Sequence, residues 1–359
     1  MTIQEMISRV NPHVRSLQAY HLHPEDVPVK LNQNENPFDW PAPIKDEILA
    51  FCRKRPWNRY PNFIPEDLKQ ALAAFVGYTA DHVIAGNGSN EMLLITLLSL
   101  TQSEGTVIIC QPTFTVYKLL SSGMGRNVQE VFLDENMCYR CDRICEASLN
   151  HPEALIIISS PNNPTGSALS EKEIRRILET HRGFFLLDQA YVEFGGYNAL
   201  PLVKEYPNLL ITRTFSKALR GAGVRMGYLI GTPDIIREMN KIKLPYNINF
   251  FSERVAIVLL SHREEINTAI SYITKQRERV FSFLQTLPFE QIYPTEANFI
   301  LIRTNRKDSL FVHLKQDGIL VRDVSSYPML ENCLRINIGT EEENTHLMRA
   351  LSGFFSHTQ

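Results

Sequence analysis

A chain of 359 residues with 37 Lys and Arg against 39 Asp and Glu carries a formal charge of −2. That balance offers no concentrated basic face, so a nucleic-acid partner is not expected. An apolar fraction of 44% with 21% charged residues excludes wholesale disorder, and the length allows one large and one smaller core. The opening MTIQEMISRVNPHV lacks the basic start and apolar stretch of a secretory signal. The most apolar run, Met92 to Leu100, is broken by Thr96 and Ser99 and is too short to cross a bilayer. A cytoplasmic protein with no membrane partner is expected, and six cysteines are too few for a disulfide scaffold.

In chain order, residues 1–36 are expected to pack on the smaller domain or on a partner subunit, and the Pro-rich stretch from Asn11 to Pro43 reads as irregular. From about residue 83 to 231 short apolar runs alternate with helix-like stretches. The runs are HVIAG, TVIIC, ALIIIS, FFLLDQA, NLLITRTF and MGYLIG. Of the stretches between them, Asn90–Leu100 is one, and 170–180 is opened by Ser170 with Glu173 three residues on, a capping-box signature. This alternation predicts an α/β fold with a mostly parallel central sheet and helices on both faces, occupying a large domain over 37–245. Beyond Pro245 a long helical region, Phe251 to Leu287, precedes strands at Asn298–Arg303, Gly318–Val321 and Cys333–Ile338, which predicts a smaller α+β domain over 246–359.

Cys138, Cys141 and Cys145 read C-x2-C-x3-C. A zinc or iron–sulfur site normally takes four ligands, and only His151 stands near as a fourth. The same spacing places the thiols on one face of a helix, so ordinary packing is expected and no metal.

Open parallel sheets bind ligands at the carboxyl ends of their strands, and the most unusual polar residues fall there. Asn163 lies in PNNPTG, Asp188 and Tyr191 in LLDQAY, Lys217 in TRTFSK, Arg225 in GAGVRMGY, and Gly88-Ser89-Asn90 between HVIAG and the next helix. A glycine turn at a helix start offers free N–H groups and suits a phosphate, though a tight turn with an N-cap explains it equally. It is not G-x-G-x-x-G, so a dinucleotide is not expected. A carboxylate closing the apolar run FFLL needs a cationic partner; a pyridinium nitrogen is one, a structural ion pair or an N-cap another. For Lys217 the bland reading is a solvated surface amine. Held in a partly desolvated cleft, its pKa falls and it can form a Schiff base with an aldehyde; a drop of about 3 units corresponds to about 4 kcal/mol. Ser216 and Arg225 stand close enough in sequence to close on the same phosphate. Tyr117, in PTFTVYK, offers a stacking platform or a core aromatic.

With KLNQNENPF, NRYPN, GNGSNEML, KLPYNIN, ANFILI and LRINIG added, these motifs run nearly end to end. Their order resembles the fold-type-I pyridoxal-phosphate aminotransferases, and within them the histidinol-phosphate aminotransferase family. The resemblance implies pyridoxal 5'-phosphate as cofactor and a homodimer. Lys217 would carry the cofactor and shuttle the proton, and Asp188 would pair with the pyridine nitrogen. Asn163 and Tyr191 would bond its phenolic oxygen, and Tyr117 would stack on the ring. Gly88, Ser89, Asn90, Ser216 and Arg225 would hold the phosphate, with Tyr60 of NRYP reaching the neighbouring subunit's cofactor. Arg335 would bind the anionic end of the substrate, helped by Arg322 and Tyr20, with Asn163 also contacting the substrate. The implied substrates are L-histidinol phosphate and 2-oxoglutarate, giving imidazole-acetol phosphate and L-glutamate in histidine biosynthesis. An aromatic amino-acid aminotransferase and a phosphothreonine decarboxylase share the scaffold and are the alternatives. Three positions depart from the family pattern: Gln189 stands where Glu is usual, Asn90 where Asp is common, and Asp323 where proline is more usual.

Overall fold

The computed structural model describes residues 1–18 and 27–356; Tyr20 lies outside them. The fold is α/β, built on two sheets. With strands numbered along the chain, β1 (Val29–Leu31) belongs to the smaller sheet. The larger one comprises β2 (Val83–Gly86), β3 (Thr106–Gln111), β4 (Asn127–Phe132), β5 (Leu155–Ser159), β6 (Phe185–Asp188), β7 (Leu209–Thr214) and β8 (Gly227–Ile230), in the order β2-β8-β7-β6-β5-β3-β4. Strands β3 to β7 pair in parallel, and β8 runs antiparallel to both β7 and β2. Every residue of β5, β6 and β7 is buried, as strands covered on both faces require. Ile156 and Ile158 face one layer of the core, while Leu155 and Ile157 face the other with Met92 and Leu97 of the helix Gly88–Leu100. Each such side chain contributes about 1.5–3 kcal/mol by burial.

Residues 215–226 link β7 to β8 without a helix, and Phe215 N–H closes the reversal on the Met226 carbonyl at 2.9 Å. Ser216, Lys217 and Arg225 thereby stand in the turn beyond the carboxyl end of β7. Strand β4 escaped prediction because its residues NVQEVF alternate exposed and half-buried at the sheet edge, giving no apolar run. The predicted capping box is present: Ser170 N–H donates to Glu173 Oε2 at 2.8 Å, Glu173 N–H to Ser170 Oγ at 3.3 Å, and the helix runs Glu171–Thr180.

The smaller sheet has the order β1-β11-β12-β10-β9, with β9 (Gln291–Tyr293), β10 (Phe299–Arg303), β11 (Ile319–Asp323) and β12 (Cys333–Asn337). The stretch expected to be irregular contains β1, which buries Val29 and Leu31, leaves Lys30 out, and pairs in parallel with β11. The long helical region is two helices, Phe250–Ser261 and Arg263–Leu284, broken at His262. The first packs on helices Ala42–Lys54 and Glu66–Val76, and the second on Glu341–Ser356 and β10.

The three thiols do not share a helix face. The helix starts at Cys141, leaving Cys138 exposed in the preceding loop, where its N–H donates to Asp134 Oδ1. Cys141 and Cys145 bury their sulfurs against the carbonyls of Glu173 and Arg176. Among the described residues no three His, Cys, Asp or Glu side chains group to hold a metal ion, and no helix is long and apolar enough to cross a membrane.

Candidate active site

Where β5, β6 and β7 end, a cavity of about 450 Å³ opens between the two sheets. Its wall brings together Ser89, Asn90, Tyr117, Asn163, Asp188, Tyr191, Ser216, Lys217, Arg225, Arg322 and Arg335, which the sequence scatters over some 250 positions.

Asp188 is the last residue of β6, registered between Ser159 of β5 and Thr212 of β7. It is 6% exposed. Burial pushes its pKa up to about 6, against the pull of hydrogen bonds from Tyr117 and Ala190. The Tyr117 hydroxyl donates to Oδ2 at 2.6 Å and the Ala190 N–H to Oδ1 at 3.0 Å. No cation among the described residues pairs with it, so a structural ion pair is not its role. Each oxygen keeps acceptor capacity toward the cavity.

Lys217 donates from Nζ to the Gln33 carbonyl at 3.0 Å, and its Nζ lies 5.8 Å from the centre of the Tyr191 ring. Its pKa falls from 10.5 to about 7, first by burial and then by the positive charge of Arg335, with Glu35 acting in the opposite sense. A substantial fraction is therefore the neutral amine at neutral pH.

Donors and acceptors around the amine are pre-set. Asn34 Nδ2 donates to the Tyr191 hydroxyl oxygen at 2.9 Å, which leaves the phenolic hydrogen for a third group; burial pushes the Tyr191 pKa up to about 12. Arg335 Nη1 donates to Asn163 Oδ1 at 2.5 Å, so the Asn163 amide keeps its N–H groups as donors. Arg335 Nη2 donates to the Asn32 carbonyl at 2.7 Å.

The glycine turn is closely fitted. Gly88 opens its helix at φ +76°, where a Cβ would lie 2.8 Å from Arg225 Nη2. A Cβ on Gly227 would lie 2.3 Å from the Gly88 carbonyl carbon and 2.4 Å from Ser89 N. Arg225 itself sits at φ +58°, a strained backbone for a residue with a side chain. Its Nη1 donates to Ser216 Oγ at 3.2 Å and to the Ala222 carbonyl at 3.0 Å. Backbone N–H groups, a serine and a guanidinium thus converge at a helix start, the donor set a phosphate takes.

At the opposite wall Arg322 of β11 and Arg335 of β12 are direct cross-strand partners. Two cationic side chains so placed favour an anion at this wall.

Tyr60 stands outside this cavity, 78% exposed, its ring stacked on Tyr246 at 4.6 Å. The departures from the family pattern leave the cavity chemistry intact. Gln189 turns into the core, donating from Nε2 to the Tyr197 carbonyl and accepting at Oε1 from Arg213. Asp323 turns away from Arg322 to Lys307 Nζ at 2.8 Å and to the N–H and hydroxyl of Ser325. Asn90 lies in the wall with an uncharged amide.

The resemblance takes in KLNQNENPF, but sequence reasoning gave the strap of residues 32–36 no role in the site. Besides Asn32, Gln33 and Asn34, Asn36 Nδ2 donates to the Lys217 carbonyl at 3.3 Å. The available signal was the run of amides in LNQNEN, too polar for a core and too close to a strand for a free loop.

Residues 26–351 match the model of the family described as aminotransferase class I and II. A histidinol-phosphate aminotransferase from Chlorobaculum tepidum is 39% identical over 95% of this chain and 99% of that protein. The chain belongs to the class I and II aminotransferases. Among solved structures, a histidinol-phosphate aminotransferase from Clostridium acetobutylicum superposes with a TM-score of 0.84 at 25% identity, covering 92% of this chain and 99% of that one. Another, from Sinorhizobium meliloti in complex with pyridoxal-5'-phosphate, gives a TM-score of 0.87 at 22% identity, covering 98% and 99%.

Proposed function

We propose that this aminotransferase uses pyridoxal 5'-phosphate to move an amino group between L-glutamate and imidazole-acetol phosphate, forming L-histidinol phosphate in histidine biosynthesis. The cofactor fits the residues present: an amine of lowered pKa, a buried carboxylate with no cation, and a phosphate cradle that a Cβ on Gly88 or Gly227 would fill. Lys217 would hold it, Asp188 would face its ring nitrogen, Tyr191 and Asn163 would donate to its phenolic oxygen, and Gly88, Ser89, Asn90, Ser216 and Arg225 would take its phosphate. When bound, the cofactor supplies an aldehyde carbon that accepts a primary amine and a ring that draws electrons from the substrate carbon.

The protein does the rest. Lys217, an amine of lowered pKa in the cavity wall, would take the proton of the substrate carbon and return it. Tyr191, bonded by Asn34, keeps its hydroxyl hydrogen aimed at one acceptor. Arg335 is oriented by Asn163 and the Asn32 carbonyl before substrate arrives, so little side-chain entropy is lost on binding.

The observation that carries the substrate is the pairing of Arg322 with Arg335 on adjacent strands. Two guanidiniums at one wall suit a doubly charged phosphate, and the same fork accepts the carboxylate of glutamate in the other half-reaction.

The second subunit belongs to this proposal. Tyr60 and Phe63 are 78% and 60% exposed and group on Tyr246, and Trp57 and Leu244 are exposed as well. A homodimer covering it would bring Tyr60 to the partner's cofactor phosphate. A biosynthetic enzyme with six free thiols among its described residues fits the cytoplasm.

The test is an absorbance spectrum of the purified protein before and after L-histidinol phosphate, with no keto acid present. A band at the visible edge that moves to the near ultraviolet supports cofactor and substrate together. A band that answers to phenylalanine and glutamate only would replace the substrate with an aromatic one. Carbon dioxide released without 2-oxoglutarate consumption would mark a decarboxylase. No band after adding pyridoxal phosphate would overturn the proposal.

A further inference from the structure

Tyr117 is expected from sequence to stack on the cofactor ring, and the structure gives its hydroxyl a second task. The side chain is 1% exposed, its ring lies in the cavity wall, and its hydroxyl donates to Asp188 Oδ2 at 2.6 Å. We propose that Tyr117 is a positioning residue for Asp188: its hydroxyl stabilises the carboxylate, so that the proton shared across the ring nitrogen and Asp188 rests on the nitrogen. The inference depends on pyridoxal phosphate being the cofactor.

The position of that proton is a balance at one buried carboxyl. A shared proton can sit on the ring nitrogen, leaving Asp188 an anion, or on Asp188, leaving the ring neutral and a poor electron sink. Burial favours the neutral carboxyl. No lysine, arginine or histidine among the described residues counters it. The titratable groups facing Asp188 are the hydroxyls of Tyr117, Tyr139 and Tyr191. Tyr139 spends its hydrogen on the Ser159 carbonyl, and Tyr191 is bonded to Asn34. Among the described residues only Tyr117 and the Ala190 N–H donate to the carboxylate. The backbone donor is present in any sequence; the phenol is the one this chain supplies. A hydrogen bond to an ionised acceptor is stronger than one to its neutral form, so removing this donor moves the proton toward Asp188. Burial holds the Tyr117 hydroxyl protonated well above its ordinary range, so it remains a donor throughout the working pH.

Tyr117→Phe separates the two tasks, because phenylalanine keeps the ring face and removes only the donor. The protein and this variant are loaded with pyridoxal phosphate labelled with nitrogen-15 in the ring, and the ring-nitrogen chemical shift is followed across the neutral pH range. The expected result is a protonated nitrogen in the unsubstituted protein and a shift toward the unprotonated position in the variant. Cofactor dissociation, read by dialysis and absorbance, should be about tenfold easier in the variant, the loss of one charge-assisted hydrogen bond. A loaded variant with an unchanged ring-nitrogen shift overturns the proposal. If the variant takes up no cofactor, isotope-edited infrared of the Asp188 carboxyl in the cofactor-free proteins decides: an upward-moved titration supports the proposal and an unmoved one overturns it. An unsubstituted protein that binds no pyridoxal phosphate would overturn the proposed function, and this inference with it, leaving the infrared arm to report on the hydrogen bond alone.

Discussion

Replacing Lys217 with methionine should make the cofactor-free protein more stable, and by an amount that depends on pH in a defined direction. The folded state lowers the lysine pKa from 10.5 to about 7, so a gap of about 3.5 units at about 1.36 kcal/mol each sets an upper bound of about 5 kcal/mol. The sign follows from proton counting. Below pH 7 both states hold the proton and the whole cost of burying the charge falls on the folded state. Between 7 and 10.5 the unfolded chain keeps a proton the folded one has released, so stability rises with pH and the cost shrinks. Above 10.5 both are neutral and no cost remains. Lys217 is not wholly screened from solvent and its surroundings can relax, so about 2 kcal/mol is the reasonable gain near neutrality. For a chain of 359 residues this is about 2–3 °C in melting temperature. Thermal unfolding of both proteins, cofactor-free and at one fixed concentration, should show methionine ahead near neutral pH and the difference closing in alkaline buffer. A difference that stays flat with pH, or no gain at neutrality, would refute the claim that a desolvated, partly discharged amine sits in this cavity.

Two further expectations come from the same walls. Gly227→Ala places a Cβ 2.3 Å from the Gly88 carbonyl carbon, which is backbone and cannot swing aside. The phosphate turn must move, costing about 1–3 kcal/mol of stability and loosening the cofactor about tenfold, as urea unfolding and cofactor release would show. Lys307→Met frees the Asp323 carboxylate next to Arg322, and KM for the phosphorylated substrate should rise about three- to tenfold with kcat little changed. Adding Asp323→Asn should restore it; a double variant no better than Lys307→Met would show that the lysine matters only for packing.

How much of this was legible depends on how local the cause is. Strands β5 to β7 announced themselves because a strand buried on both faces must be a continuous apolar run, and each ended on the polar residue that faces the cavity. Lys217, Asp188 and the glycine turn could be picked out for the same reason: a charge or a flexible turn at the end of such a run has few structural explanations. What the chain could not show locally is what joins distant segments. Asn34 N–H meets Asn337 Oδ1 across 303 positions, and Lys217 Nζ meets the Gln33 carbonyl across 184. Strand β1, which presents that strap, has three residues and takes its stability from β11, so no periodicity of its own could reveal it. Tyr117 is the instructive case. Its aromatic ring could be assigned a task from its type alone, but the direction of its hydroxyl depends on β6 ending at Asp188 beside the helix Val116–Gly123, a fact of the sheet order rather than of any motif. Motifs therefore pick out the polar groups at the strand ends, while the hydrogen-bond partners of those groups become visible only once the strands are side by side.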